Sequence, residues 1–222
     1  MLFRSLWDAD TGILGATPEL LFERKGGKVQ AMALAGTRPH SIPGATVSEP
    51  ERMPLLDDPK ERAEHQYVID GVRRSLSPFG KVTLGQTREL RLPSFSHLLT
   101  PIELEPSGTF EFGEIARALH PTPALGAFPR EAGMRWLESQ PWAATRGRFG
   151  APFGAQWKTL VGEEQAQCWV AIRNIQWRKP SRKNLHRVIL GAGCGIVEKS
   201  ELKQEWRELE SKARSVRAVF DL

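Results

Sequence analysis

Apolar and polar positions alternate on both sides of a single break in ELLFERKGGKVQAMALAG, residues 19–36. Period-two alternation interrupted by Gly26-Gly27 predicts two antiparallel strands joined by a hairpin, because paired glycines reach the positive φ that tight turns need. Residues 1 to about 40 read as strands throughout. Segment 40–59 is rich in Pro, Ser and acidic residues and reads as a loop. The period then changes. Asp58 is a good N-cap, Pro59 suits the first helical position, and Ile69, Val72 and Leu76 recur at helical spacing. Short strands follow in KVTLGQTRELRLP (81–93) and SFSHLLTPIELE (94–105). Helices are expected over FGEIARALH (112–120) and REAGMRWLESQ (130–140), on either side of the Gly/Pro-rich PTPALGAFP. AQCWVAIRNIQW (166–177) reads as one strand, with HRVILGAG (186–193) as its hairpin partner. The chain closes with an amphipathic helix over 201–220 that carries Trp206, Leu209, Ala213 and Val216 on one face. Strands grouped with intervening helices, without the long parallel alternation of a doubly wound fold, give an α+β (mixed α/β) class of β-sheet layers flanked by helices.

Composition narrows the setting. With 222 residues the chain suits one large domain or two small ones, and 40% hydrophobic against 26% charged residues is a globular balance. Cys168 and Cys194 are the only cysteines and sit in no CxxC or Cys/His cluster, which disfavours structural zinc and points to a reducing compartment. There is no eighteen-residue apolar run and no signal-peptide pattern in MLFRSLWDAD, so a cytoplasmic location is expected. The net charge of +5 favours anionic partners. Its densest basic segment, WRKPSRKNLHR (177–187), lies between strand-like runs and reads as a solvated hairpin loop. It has no interleaved stacking aromatics and is not an amphipathic helix, so neither nucleic acid nor membrane is expected as a partner.

The candidate chemistry is carried by carboxylates. Glu61 and Glu64 stand three apart on the first helix, and Glu205 and Glu208 stand three apart on the last. At that spacing both members of a pair project from one side of a helix, and such oxygen ligands suit a hard divalent ion such as magnesium. Taken alone, each pair reads first as a solvated helix face. Three glycine-containing turns, LAGTRP (34–39), LGAFPR (125–130) and GAGCGIV (191–197), offer backbone amides to an anion or serve as plain turns. Arg173 is a cation inside an apolar strand and needs a partner, for which a planar carboxylate is the best match. Glu19 lies between apolar residues at a strand edge, where burial would raise its pKa toward that of a general acid. Either could instead be satisfied by a protein neighbour.

Taken together and in order, GATPELLF, ALAGTRP, DPKERAEH, SHLLTPIE, LHPTPALGAFPREA, RFGAPFG, WVAIR, GAGCGIV and EWRELESKARSV resemble the catalytic domain of the chorismate-utilising enzymes. That family includes isochorismate synthase, anthranilate synthase component I, aminodeoxychorismate synthase and salicylate synthase. The matching stretches run from about residue 12 to residue 216. LHPTPALGAFP is most similar to the isochorismate synthase branch, with Ala124 where the amine-forming branches typically carry a threonine. The resemblance implies a single chorismate-binding catalytic domain over residues 1–222, an anthranilate synthase component I-like fold, and roles at matching positions. Glu64 and Glu208 would hold Mg2+, supported by Glu61 and Glu205, and the ion would bind the ring carboxylate of chorismate. Glu19 would protonate the departing C4 hydroxyl and His97 would sit beside the reacting ring. Arg173, Gly36, Thr37 and the Gly191 and Gly193 backbone would receive substrate carboxylates, with Phe149 near the pyruvyl side.

Set against the family pattern, residues 1–222 are expected to be an N-terminally truncated version, without the preceding half-domain and its lysine that activates water in isochorismate and salicylate synthases. The expected reaction is therefore conversion of chorismate to isochorismate by hydroxyl transfer from C4 to C2. The rivals are an ammonia-using aminase component and a chorismate-binding subunit completed by a second chain or by homo-oligomerisation. Menaquinone and siderophore synthesis are the pathways such a product implies.

Overall fold

A computed structural model of the chain describes residues 2–6, 11–40, 53–92, 95–141, 143–178 and 187–220. The loop expected at 40–59 and the basic loop at 177–187 fall largely outside the described residues. In chain order the elements are β1 (Leu2–Leu6), β2 (Thr11–Ala16), β3 (Leu20–Lys25), β4 (Lys28–Pro39), α1 (Pro59–Leu76), β5 (Gly80–Leu84), β6 (Arg88–Arg91) and β7 (Phe95–Pro106). They continue with α2 (Phe112–Leu119), α3 (Arg130–Glu138), β8 (Pro152–Lys158), β9 (Glu164–Val170), β10 (Asn174–Arg178), β11 (Arg187–Leu190) and α4 (Leu202–Phe220). All pairings among the described strands are antiparallel. A larger sheet runs β5-β7-β4-β3-β9-β8, with β6 also on β7, and a smaller one runs β1-β2-β10-β11. The class is α+β, with helices against antiparallel sheet.

The larger sheet carries the core on one face. Val29, Ala31, Ala33 and Ala35 alternate along β4, joined by Phe22, Ile102, Leu104, Ala166, Cys168 and Val170 from its neighbours. Val68, Ile69, Val72 and Leu76 of α1 and Ile115 and Leu119 of α2 cover this face. The run of alanines on β4 lets α1 lie close against the strand. Phe22 is 1% exposed and its ring lies 5.2 Å from that of Phe112. Phe22→Ala is expected to cost about 3–5 kcal/mol, read as a lower urea midpoint with an unchanged slope.

The first helix begins as its sequence predicts. Asp58 Oδ1 accepts the amides of Lys60 (3.0 Å) and Glu61 (3.3 Å), and Pro59 fills the first turn. Arg38 Nη2 holds the other Asp58 oxygen at 3.1 Å, tying the helix start to the end of β4. Among the described residues no helix is long and apolar enough to cross a membrane.

Two expectations need correction. The segment 166–177 is not one strand but two, β9 in the larger sheet and β10 in the smaller. The chain turns between them at Ala171–Arg173, where Arg173 has a φ of 53° and Asn174 Nδ2 donates to the Ala171 carbonyl at 2.5 Å. The chain makes a matching passage at 17–19, between β2 and β3. The two crossings are bonded to each other, Ala16 N to Arg173 O and Val170 N to Glu19 O, each at 3.1 Å. The second correction concerns α4. Trp206 is 59% exposed and bonds Glu210 at 2.9 Å, while Glu205, Glu208 and Val216 are buried. The buried stripe is thus turned away from Trp206 toward two carboxylates, because this helix faces the N-terminal turn of α1 as well as apolar surface.

Candidate functional site

The paired crossings put Glu19 and Arg173 side by side in sequence-remote segments that hydrogen-bond to each other. Glu19 is 7% exposed. Burial pushes its carboxyl up from the ordinary 4.5 to about 7, against the lowering pull of Lys212, the Thr122 hydroxyl and Arg173. Arg173 stacks 4.8 Å above Phe95, and Nη1 reaches Ser215 Oγ at 3.4 Å. Among the described residues no carboxylate lies within ion-pair distance of its guanidinium, although Glu208 and Glu19 are near enough to oppose the effect of its burial. It therefore retains donors for an incoming anion.

The β-bulge between Ala35 and Thr37 shapes the neighbouring wall. Gly36 adopts a φ of 74°, and a Cβ there would stand 3.1 Å from the Glu61 carbonyl oxygen, so glycine serves both the turn and the close approach of α1. The bulge aims the Thr37 amide at Glu61 Oε2, 2.7 Å away. The Thr37 hydroxyl lies 3.1 Å from His97 Nδ1. His97 is buried and its Nε2 has no hydrogen-bond partner among the described residues. Burial, with Arg173 and Lys212 adding to it, lowers its pKa to about 3, so the imidazole is neutral at physiological pH. His65, for which the sequence suggests no role, is a core residue whose Nε2 pairs with Thr100 Oγ1 at 2.7 Å.

The helix starts bring the four glutamates together around lysine. Lys60 Nζ lies 3.1 Å from Glu61 Oε1, 3.5 Å from Glu64 Oε2 and 3.0 Å from Glu205 Oε1. Lys212 pairs with Glu208 and donates to the Gly193 carbonyl at 2.9 Å. Burial raises the Glu61 and Glu64 carboxyls above the usual range, and Lys60 counters it in both. Burial alone would lower the Lys60 pKa, but Glu61, Glu64 and Glu205 reverse that and hold the ammonium firmly protonated.

Glu205 is 3% exposed, with the Cys194 thiol beside it. The Lys60 ammonium is off the axis of a good hydrogen bond, so neither Glu205 oxygen receives an aligned donor. A buried carboxylate left this way, among other hard oxygen donors, is chemically suited to a divalent cation. No group of three or more Asp, Glu, His or Cys side chains stands at metal-ligating spacing among the described residues. Three of the four carboxylates converge on Lys60 instead.

Behind β11, the Phe149 ring packs against Gly191 with no room for a Cβ, while Gly193 has open space on that side. Gly195, which the sequence reading passes over, lies against the Glu64 carboxylate; a Cβ there would stand 2.6 Å from Glu64 Cδ. Lys60 and Lys212 were also missed. Their signal was present, since each stands four residues from a glutamate on the same helix, in the order Lys60-Glu64 and Glu208-Lys212. That spacing reads as a surface pair unless the two helices are known to meet.

The chain is similar to several known proteins. A salicylate biosynthesis isochorismate synthase of Pseudomonas aeruginosa is 36% identical over 211 residues, covering 93% of this chain and 41% of that protein. A crystal structure of a putative 2,3-dihydroxybenzoate-specific isochorismate synthase, DhbC of Bacillus anthracis, matches with a TM-score of 0.80 at 28% identity. It covers all of this chain and 57% of its own. The menaquinone-specific isochorismate synthase MenF of Escherichia coli matches with a TM-score of 0.78 at 25% identity, over 97% of this chain and 47% of its own. The chain thus spans about half the length of the relatives it matches. The model of the family described as chorismate binding enzyme matches residues 2–220, and the chain belongs to that family.

Proposed function

We propose that these residues form the chorismate-holding, acid-bearing part of a magnesium-dependent isochorismate synthase. The observation that carries the reading is Glu19, a buried acid with a pKa near 7 set beside Arg173 at the sheet crossing. Such a group is protonated in a substantial fraction at neutral pH and can donate to the departing C4 hydroxyl. Arg173 would take a substrate carboxylate with the guanidinium donors that Ser215 does not use. Neutral His97, aligned by Thr37, would offer Nε2 beside the ring. Gly36, Thr37, Gly191 and Gly193 would line the anion-receiving backbone, and Phe149 would close the pyruvyl side.

Glu64 and Glu208, supported by Glu61 and Glu205, would hold the magnesium, which when bound supplies positive charge to the ring carboxylate. Water adds at C2 as the C4 hydroxyl leaves as water, so the atoms balance. The base that takes a proton from the attacking water is expected from the half of the family fold these residues do not span, on the same polypeptide or on a second chain. The relatives' names and the HPTPALGAFP segment both favour water over ammonia as the nucleophile.

The test is product analysis after incubating the chain, together with the half of the family fold that supplies the base, with chorismate and magnesium chloride, with and without ammonium. Isochorismate in both incubations is expected; an ammonium-dependent amine, or no conversion, contradicts the reading. A sharper local test compares two glycines. Gly195→Ala drives a methyl into the Glu64 carboxylate and is expected to weaken magnesium-dependent chorismate binding by roughly tenfold or more. Gly108→Ala, outside the site and with nothing within 4 Å of the added carbon, is expected to leave it within about twofold.

A further inference from the structure

The position of Lys60 carries a further inference, which rests on the magnesium reading above. Its ammonium stands where the carboxylates of two helices converge, within 3.0–3.5 Å of Glu61, Glu64 and Glu205. The lysine side chain is 17% exposed, and Glu205 is among the most buried polar residues of the protein. We propose that Lys60 is the resident cation of the carboxylate cluster in the metal-free protein, and that magnesium and the Lys60 ammonium occupy the cluster in exchange for one another.

Three observations support exchange over a merely structural ion pair. First, the contacts are poor for their burial: the approach to Glu64 is 3.5 Å, and the one to Glu205 lacks hydrogen-bond alignment. A point charge on a flexible stem balances the cluster without satisfying its geometry. Second, the backbone of Lys60 is pinned independently by Asp58, which accepts its amide and is itself held by Arg38. The side chain can therefore leave without unwinding the helix, and only its own rotamers change. Third, Glu208 already has its own cation in Lys212, whose ammonium is anchored to the Gly193 carbonyl. Among the described residues the Lys60 ammonium, unlike that of Lys212, donates to no backbone carbonyl and is held by carboxylates alone. A divalent ion drawing on Glu64 shares a ligand with Lys60, and two cations against one buried carboxylate repel each other.

Linkage makes the sign of the effect testable. A group that competes with the metal lowers its apparent affinity; a group that positions the ligands raises it. Lys60→Met removes the ammonium while keeping an unbranched apolar stem. Calorimetric titration with magnesium chloride alone is expected to show binding to Lys60→Met tighter than to wild type by about tenfold or more. The metal-free variant is expected to melt lower by roughly 5 °C, because the carboxylates lose their counter-ion, and to regain more on magnesium addition than wild type does.

A second measurement uses the wild-type chain alone. Acylation of Lys60 by an amine-reactive ester, mapped by peptide mass spectrometry, is expected to rise several-fold on saturation with magnesium as the ammonium moves to solvent. If wild type binds magnesium while Lys60→Met binds it equally or more weakly, or if Lys60 labelling is unchanged or falls, the exchange is overturned and the magnesium site stands. If neither protein binds magnesium, the magnesium reading falls and the exchange falls with it.

Discussion

Glu19→Gln is expected to reduce chorismate turnover by about 10²–10⁴-fold and, at the same time, to make the protein more stable above neutral pH. The two effects share one cause. Burial at the crossing raises the Glu19 carboxyl from 4.5 to about 7, so its charged form is disfavoured in the folded state. Below the unfolded value both states carry the proton and folding incurs no penalty. As pH rises from 4.5 toward 7 the unfolded chain releases its proton first, and stability declines. Above about 7 the penalty is complete, at about 3 kcal/mol, from 1.4 kcal/mol for each tenfold difference in proton affinity. Glutamine retains shape and hydrogen-bonding capacity without the charge. Urea unfolding at pH 8 is thus expected to show Glu19→Gln more stable by up to that amount, with no difference at pH 4. Equal stability of the two proteins at pH 8 would contradict the buried-acid assignment, whatever the turnover. The same titration predicts that activity falls as pH rises through about 7, when Glu19 loses the proton it donates.

The double variant Glu64→Gln with Glu208→Gln is expected to abolish the magnesium dependence of chorismate binding. These carboxylates come from two helices far apart in the chain, each beside its own lysine, and the Glu208 charge adds to the upward push on the Glu64 carboxyl. Losing a supporting group around a metal typically costs about 10–100-fold in affinity, and loss of two ligands is expected to exceed that. Glutamine keeps the volume, so the packing of α4 against β4 is preserved. Lys60 still has Glu61 and Glu205 as partners. The readout is calorimetric titration of chorismate with and without magnesium chloride. A magnesium-dependent heat retained in the double variant would refute the assignment of these two residues.

Much of this architecture is written locally. Asp58, Pro59 and the Ile69-Val72-Leu76 spacing specify α1, and Gly26-Gly27 specifies the β3–β4 hairpin, because caps, fixed φ and turn geometry act within a few residues. The split at Ala171–Arg173 was not legible for the same reason. Apolar, strand-forming residues continue on both sides of it, and only pairing with β2 and β3, some 150 residues away, separates the two sheets. The acids of the cluster stand out in sequence because carboxylates three apart attract notice on any helix. The lysines that meet them do not, since an i,i+4 pair is ordinary on a surface and becomes unusual only when a second helix buries it. Gly195 is silent in sequence, because its role lies in what a methyl group would strike on α1, far along the chain. The outward turn of Trp206 reflects the same limit. The period predicts that α4 has a buried face, but not that Glu205 on that face meets Lys60 of α1.

Water addition at C2 is the step that separates the proposed isochorismate chemistry from amination. It is tested most directly by incubating the chain, together with the base-supplying half of the fold, with chorismate and magnesium chloride in 18O-enriched water, followed by mass spectrometry of the products. The predicted result is isochorismate carrying one heavy oxygen at C2. Isochorismate without the label, or chorismate returned unchanged, would contradict it.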